Sequence, residues 1–332
     1  MKHRVDEMVP SMYSFNRYMR VYGKRDVHTY TETPHSWHNG MVGKHFWDVL
    51  DSAPDRLDRF NRGLSMFAAL HPVVAIFPFE SVLQAGNSSE RPLMVDIGGG
   101  RGLALLEMRK GCPSLQGQLI LQDRPEVLDA ISPQDLPDVT KMAHDFFSEQ
   151  PVKNAQMYYI RRVMHDWQDE DAARIMKAIV PAMAPDSRII ISDTTLPEPA
   201  TPEAAHAIWL DIMMLTIGGK ERTAGDWNKL ADLSGLKLVR VWQDPAKFGP
   251  LCVVEYMLPD ANSQDTTIES AKERSAMDEQ KQVNEDNSTG TPKVVSTTET
   301  EGFLETEQRD EDWEERTVVG DRDQSVEPGQ HA

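Results

Sequence analysis

The residues with the most chemistry to offer begin at Met94-Val95-Asp96-Ile97-Gly98-Gly99-Gly100-Arg101-Gly102. Consecutive glycines supply the φ > 0 conformations of a tight turn and let a ligand approach the backbone closely. A helix starting just after them presents unpaired N–H groups. A turn of this kind also serves dinucleotide pyrophosphates, so by itself it decides little. Asp96, two residues before the glycines, shifts the preference. Its carboxylate suits the α-amino group of a methionine moiety better than a pyrophosphate. Two more carboxylates follow, Asp123 in Leu121-Gln122-Asp123-Arg124-Pro125 and Asp145 in Ala143-His144-Asp145-Phe146-Phe147. The first can accept both hydroxyls of a ribose. The second can meet an adenine amino group while Phe146 covers the ring face. Any one of the three could instead cap a helix; their recurrence at successive strand ends favours a ligand site. Two histidines that could accept a proton, His144 and His165, also lie near strand ends, and a lone histidine before Asp can equally be a cap or surface residue.

These residues need elements to position them. From residue 93 short β-branched runs alternate with helical stretches. The expected strands are Leu93–Ile97, Gln118–Gln122, Val139–Ala143, Ala155–Arg161 and Arg188–Ser192, followed by Leu236–Gln243 and Leu251–Met257 joined through Pro245 to Pro250. Helices are expected to start near Leu103, Glu126, Glu170 and Glu203, with another over Gly225–Ser234. Strands joined by helices imply an α/β fold, a parallel sheet covered on both faces, with the last hairpin as an antiparallel edge. Ligands in such sheets bind at the carboxyl ends of strands. Residues 1–90 read as mostly helical. Phe46-Trp47-Asp48-Val49-Leu50 and then Phe60, Leu64, Phe67 and Leu70 recur at helical spacing, and Pro54 sits at a plausible helix start. Tyr13, Phe15, Tyr18, Met19 and Tyr22 are candidate anchors further upstream.

With those residues in view, the chain resembles a class I S-adenosylmethionine-dependent methyltransferase. More narrowly it resembles the caffeate-type O-methyltransferase family in its fungal secondary-metabolite branch. Besides the glycine turn, the likeness rests on Tyr159-Ile160-Arg161-Arg162-Val163-Met164-His165-Asp166-Trp167-Gln168-Asp169-Glu170 and on Gly218-Gly219-Lys220-Glu221-Arg222-Thr223. It covers about residues 40–258. It implies a Rossmann-like, mostly parallel seven-stranded sheet with an antiparallel terminal hairpin, and S-adenosyl-L-methionine as cofactor. It implies cofactor contacts from Asp96, Gly98, Gly99, Gly100, Asp123, Asp145, Phe146 and Arg161. Arg161 stands where the family has lysine, keeping the charge and changing its geometry.

The same resemblance makes His165 the general base for a phenolic or enolic hydroxyl, with no metal required. An ordinary phenol near 10 and an imidazole near 6.5 leave the proton transfer uphill by about 5 kcal/mol. Carboxylates beside the base lower that cost, and the family positions map onto Asp193 and Glu221. The family often has Glu at the first, so the shorter Asp193 is expected to reach the imidazole less well. Met164, Trp167, Met213 and Met214 are implied to line the acceptor pocket, where methionine suits planar rings; a plain core helix is the alternative for each methionine. Residues 1–40 are too few for the winged-helix dimerisation domain that family members carry. A reduced N-terminal region is therefore expected, and homodimerisation is put in question.

Composition sets outer bounds. The chain has 332 residues, 39% hydrophobic, enough for a sizeable core, and a formal net charge of −18. That charge argues against a nucleic-acid partner, which needs a basic footprint, and against a polybasic membrane anchor. Two cysteines, Cys112 and Cys252, make no disulfide framework, so a reducing, cytoplasmic setting is the default. No apolar run is long enough to span a bilayer, and the first residues lack the apolar segment of a secretory signal. Residues 260–332 hold 20 acidic and 7 basic residues with few large apolar ones, and read as a disordered acidic tail, either an interaction segment or a solvated extension. The expected organisation is thus a helical region over 1–90, a methyltransferase domain over 91–259 and the tail over 260–332. Two rival functions remain: a relative that binds the cofactor but catalyses pericyclic or decarboxylative steps, and a non-catalytic regulatory protein.

Overall fold

A computed structural model describes residues 7–23, 27, 29–53, 55–57, 59, 60, 63, 74, 76–83, 91–199, 201–243 and 251–260. The expected acidic tail, the loop from Pro245 to Pro250, and Pro54, Leu64, Phe67 and Leu70 lie outside these residues.

The strands are β1 (Met94–Ile97), β2 (Leu119–Asp123), β3 (Val139–Ala143), β4 (Met157–Arg161), β5 (Arg188–Leu196), β6 (Arg222–Thr223), β7 (Lys237–Gln243) and β8 (Leu251–Met257). Their order across the sheet is β3-β2-β1-β4-β5-β8-β7, with β6 pairing only β5. β1 to β5 run parallel, and β8 joins antiparallel to both β5 and β7. The chain builds outward from β1 to β3, then returns to place β4 on the other side of β1. That reversal opens a crevice at the carboxyl ends of β1 and β4, where a ligand meets no crossing helix.

Alternating side chains commit the sheet to two cores. Val95, Ile97, Tyr158, Ile160, Ile189 and Ile191 face the helices Asp169–Ile179 and Ala224–Ser234. Met94, Met157, Tyr159 and Ile190 face the opposite side, with Leu105 and Met108 of the helix Leu103–Gly111 and with Phe77 and Phe79. A third cluster joins Met8, Phe46, Leu50 and Phe60 to Met213, Met214 and Ile217 at the end of the helix Ala205–Leu215.

The α/β class and the strand positions are as expected, with instructive differences. The hairpin forms the antiparallel edge as expected, with β8 against β5 and β7 terminal. Strand β5 runs four residues past the expected Ser192, to Leu196, because Thr195 and Leu196 pair with Arg222 and Thr223. A two-residue strand has no readable periodicity, so β6 left no trace in the sequence. In the N-terminal region the described helices are short: Val9–Tyr13, Phe15–Tyr22, Pro34–His38, Phe46–Asp51 and Phe79–Leu83. Tyr18 is buried there as expected, whereas Tyr13 points outward at 86% exposure.

Candidate functional site

The glycine turn leaves β1 with Gly98 at φ 66° and Gly100 at φ 59°, the left-handed region that a side chain would strain. Packing adds a second reason for glycine. A Cβ at Gly99 would collide with the Asp96 carboxylate, and one at Gly98 would come within 2.9 Å of Val163 Cγ2. At Gly100 the same atom would meet nothing within 4 Å, so this part of the turn faces open space. Beneath the turn Asp96 is fully buried, and neither carboxylate oxygen has a hydrogen-bond partner. Burial pushes its carboxyl up to about 7, with Arg161 pulling it down and Asp123 adding to the rise. A buried carboxylate left this way calls for a cationic or donor partner from outside.

Asp123 closes the turn from β2. Its Oδ2 accepts the Gly100 N–H at 2.8 Å and its Oδ1 the Arg124 N–H at 2.8 Å. Each carboxylate oxygen keeps further acceptor capacity. Phe146 packs beside Gly98 and edge-on to Trp167, with ring centroids 6.0 Å apart. Arg161, at the end of β4, pairs with Glu107 at 3.4 Å. Asp145 is exposed and spends one oxygen on its own loop, accepting the Phe147 N–H at 3.0 Å. An unpartnered buried carboxylate, a glycine cradle open on one side and a second acid with spare acceptors fit the amino, backbone-facing and hydroxyl groups of an amino-acid nucleoside.

The second half of the site follows β4. Arg162 adopts φ 56°, an uncommon conformation for a side-chain-bearing residue, and swings the chain into the short 3₁₀ turn Met164–Asp166. His165 is buried in that turn. Its Nδ1 lies 3.1 Å from Glu221 Oε1 and 3.2 Å from Asp193 Oδ1. Only the Glu221 contact has hydrogen-bond geometry; both Asp193 oxygens are buried without a hydrogen bond. Nε2 lies on the other side, 3.6 Å from Asp166 Oδ1. Burial pushes the Asp193 carboxyl up, opposed by the nearby imidazole. With Nδ1–H held by carboxylates, the neutral ring carries its acceptor lone pair on Nε2. Ligand atoms of His165, Asp193 and Glu221 lie within 4.8 Å of one another, a spacing that a cation could also use.

The loop before β6 grips this turn closely. The Lys220 N–H donates to His165 O at 2.9 Å, and a Cβ on Gly219 would run into that same carbonyl. Glycine at 219 is therefore required by contact. Trp167 sits half-buried in a box of rings, with centroids 4.8 Å from Phe147, 5.0 Å from Tyr30 and 5.7 Å from His45. Met164 and Met213 are fully buried and Met214 is 3% exposed, each inside an apolar cluster. The rival His144 follows β3 and binds Asp123 O through its backbone N–H at 3.1 Å.

Three residues at this site were not foreseen. Asp211 accepts the Glu221 N–H at 2.9 Å. Its signal was a lone carboxylate in the apolar run Ile208-Trp209-Leu210-Asp211-Ile212-Met213. Tyr30 donates to Asp171 Oδ2 at 2.8 Å and accepts the Gln168 N–H at 2.9 Å, tying the N-terminal region to the loop after His165. Arg222 is wholly buried and bonded to the turn that holds His165.

Comparison with known proteins bears on this arrangement directly. Residues 27–237 match the family described as the O-methyltransferase domain. The chain belongs to that family. Among curated relatives, the O-methyltransferase hmp5 of Hypomyces subiculosus is 38% identical over 235 residues, 69% of this chain and 58% of the relative. Demethylsterigmatocystin 6-O-methyltransferase stcP of Emericella nidulans is 37% identical over 192 residues, 57% of this chain and 92% of the relative. The chain thus spans little more than half the length of several curated relatives it matches. Among solved structures, LepI in complex with SAM superposes with a TM-score of 0.70 at 29% identity, covering 78% of this chain and 66% of that one. OxaC with SAH and oxaline gives 0.69 at 28%, covering 76% and 64%. A structure described as a pericyclic reaction enzyme gives 0.68 at 29%, covering 78% and 66%. The family's class I methyltransferase fold is therefore that of this chain.

Proposed function

We propose that this protein is an S-adenosylmethionine-dependent O-methyltransferase that methylates a hydroxyl of a phenolic or enolic small molecule, of aromatic-polyketide type, in secondary metabolism. The family, the demethylsterigmatocystin-methylating relative and the OxaC complex with SAH and oxaline support the reaction class. The observation that carries the chemistry is the buried His165 imidazole with two carboxylates at one nitrogen.

S-adenosylmethionine, when bound, supplies an electrophilic methyl group on a sulfonium. On the protein's side, Asp96 receives the α-amino group and Asp123 the ribose hydroxyls. Gly98, Gly99 and Gly100 admit the ligand against the backbone. Phe146 and Arg161 flank the adenine side, and Asp145 is assigned to the adenine edge. Nε2 of His165 accepts the acceptor's hydroxyl proton, and the resulting imidazolium is held at Nδ1 by Glu221 and Asp193. Trp167 forms an acceptor wall. In this reading residues 1–90 are a linker and dimerisation part, 91–259 the methyltransferase domain, and 260–332 an acidic segment. The buried, unpaired Cys112 and Cys252 fit a cytoplasmic setting. Among the described residues no helix is long and apolar enough to cross a membrane.

The test is incubation with methyl-labelled S-adenosylmethionine and a panel of phenols. Transfer of label by wild type and its loss in His165→Ala support the reading; a His165→Ala variant as active as wild type removes the assigned base. The likeness to a pericyclic reaction enzyme favours one second reading, in which bound cofactor acts as a fixed charge and no methyl moves. Product mass separates the two, because only methyl transfer adds the mass of a CH₂ unit.

A further inference from the structure

We infer that Arg222 is a positioning residue for His165: its guanidinium fixes the turn that carries the imidazole, so that the ring stays seated on the Glu221 and Asp193 carboxylates. The inference rests on His165 being the base.

A wholly buried guanidinium is expensive to desolvate and persists only where its donors are well matched. Arg222 donates from Nη1 to Met164 O at 2.7 Å and from Nη2 to Trp167 O at 2.8 Å. Its Nε donates to Asp169 Oδ1 at 3.1 Å, and its plane lies over the Trp227 ring, 5.4 Å from the centroid. The two carbonyls bracket His165, one on each side. The turn's own bonds are few, Asp166 N–H to Val163 O at 3.1 Å and a longer one from Trp167 N–H to Met164 O at 3.3 Å, so Arg222 gives Met164 O a second, shorter donor and ties Trp167 O to the same group. A planar fork can satisfy both carbonyls and a carboxylate at once; a lysine ammonium on its flexible stem cannot.

Three consecutive residues thereby divide the work. Lys220 binds the His165 carbonyl, Glu221 the ring, and Arg222 the carbonyls on either side. The backbone of Arg222 is itself fixed, because β6 pairs it with Thr195, two residues beyond Asp193 on β5. The sheet therefore sets the carboxylate of Asp193 and the anchor of the His165 turn in one frame. Asp169 completes the anchor, shared with Lys220 at 3.4 Å and Lys229 at 3.1 Å. Arg222 bonds the turn and not the ring, and its charge also favours the ionised Asp193 carboxylate, so it acts on the imidazole through the turn and through that partner.

The experiment uses the full chain with Arg222→Lys and, as a milder change that keeps the buried cation, Asp169→Asn. Spectra of protein carrying nitrogen-15 histidine read the His165 Nδ1 proton, identified by its absence in His165→Gln. Thermal midpoint, cofactor affinity by calorimetry, and kcat and KM are measured alongside. The expected result in Arg222→Lys is loss of the low-field Nδ1 signal and a fall in kcat of about 100-fold, with cofactor affinity within about threefold of wild type. Asp169→Asn should show the same changes in weaker form, at a thermal midpoint close to wild type. If Arg222→Lys does not fold, Asp169→Asn decides. A retained Nδ1 signal with kcat reduced only in step with folded fraction overturns the inference. The Nδ1 signal is read without turnover, so an absence of methyl transfer by wild type would count against the proposed function and leave the positioning result separately legible.

Discussion

The two ends of the site treat buried carboxylates in opposite ways. Under the glycine turn, Asp96 is buried with neither oxygen bonded, and burial raises its carboxyl to about 7. Beside the 3₁₀ turn, Glu221 and Asp193 are equally buried but share an imidazole of the same chain. In the proposed function the first receives the cofactor's ammonium, and the second holds a group that becomes a cation only when it takes a proton. On that proposal one half of the site serves binding and the other chemistry, and substitutions should separate them.

The largest effect is expected at His165. His165→Ala should lower kcat by about 10³-fold, while leaving the affinity for S-adenosylhomocysteine near wild type in calorimetry. A comparable loss of affinity would erase the division between the two halves. Next comes Asp96→Asn, which should weaken cofactor binding by about 100-fold, or near 3 kcal/mol, by removing a charge-assisted partner. The same change should stabilise the empty protein. The folded carboxyl titrates near 7 against 3.8 for an ordinary aspartate. Between those values the unfolded chain is ionised and the folded group still protonated, so wild-type stability falls as pH rises through that window. Melts at stepped pH should show Asp96→Asn gaining on wild type by up to about 4 kcal/mol between pH 4 and 7. Parallel curves would show that Asp96 is not strained.

Within the chemical half, Glu221→Gln should lower kcat by about 30-fold and Asp193→Asn by about tenfold, because only Glu221 holds Nδ1 with hydrogen-bond geometry. The reverse order in steady-state rates would make Asp193 the principal partner. Chelator treatment should leave turnover unchanged; loss restored by added divalent metal would reassign the three residues as a cation site.

The smallest effect on activity is expected at a further buried carboxylate, Glu7 in the N-terminal region. Burial alone would raise Glu7, but His35 and Arg56 outweigh it and hold the carboxyl at about 2. Arg56 reaches it at 2.6 Å. Its contribution is present above the ordinary value of 4.5 and is lost as pH falls towards 2. Glu7→Gln should cost about 2 kcal/mol in urea unfolding at pH 7, less than a fully buried pair because Arg56 keeps solvent contact. It should leave kcat unchanged.

Much of this was legible in the residues themselves. Short apolar runs located seven strands, because a sheet covered on both faces buries successive residues, as β1, β2 and β4 show. The glycine turn announced itself because only glycine tolerates both the positive φ and the closeness of Asp96 to Gly99. Legibility failed where the cause lay in a distant segment. Met213 and Met214 carry no mark that distinguishes a pocket wall from a core. Met8, Phe46, Leu50 and Phe60 arrive from another part of the chain to pack against them, and no spacing around the methionines encodes that contact. Asp145 was assigned by its place at a strand end, and nothing in the pattern marked that one of its oxygens would accept the Phe147 N–H.

What the sequence determined by itself, then, was local: which residues alternate, where the chain must turn, and which side chains carry titratable groups. What only the tertiary structure decided was convergence. His165 follows β4, Asp193 lies within β5 and Glu221 precedes β6, and they meet at a single nitrogen. No spacing along the chain encodes that meeting. It follows from β5 pairing with both β4 and β6, and from Gly219 and Arg222 closing on the turn between them. Backbone pairing fixes distances between remote segments to within a hydrogen bond's tolerance, and that tolerance is what proton transfer requires.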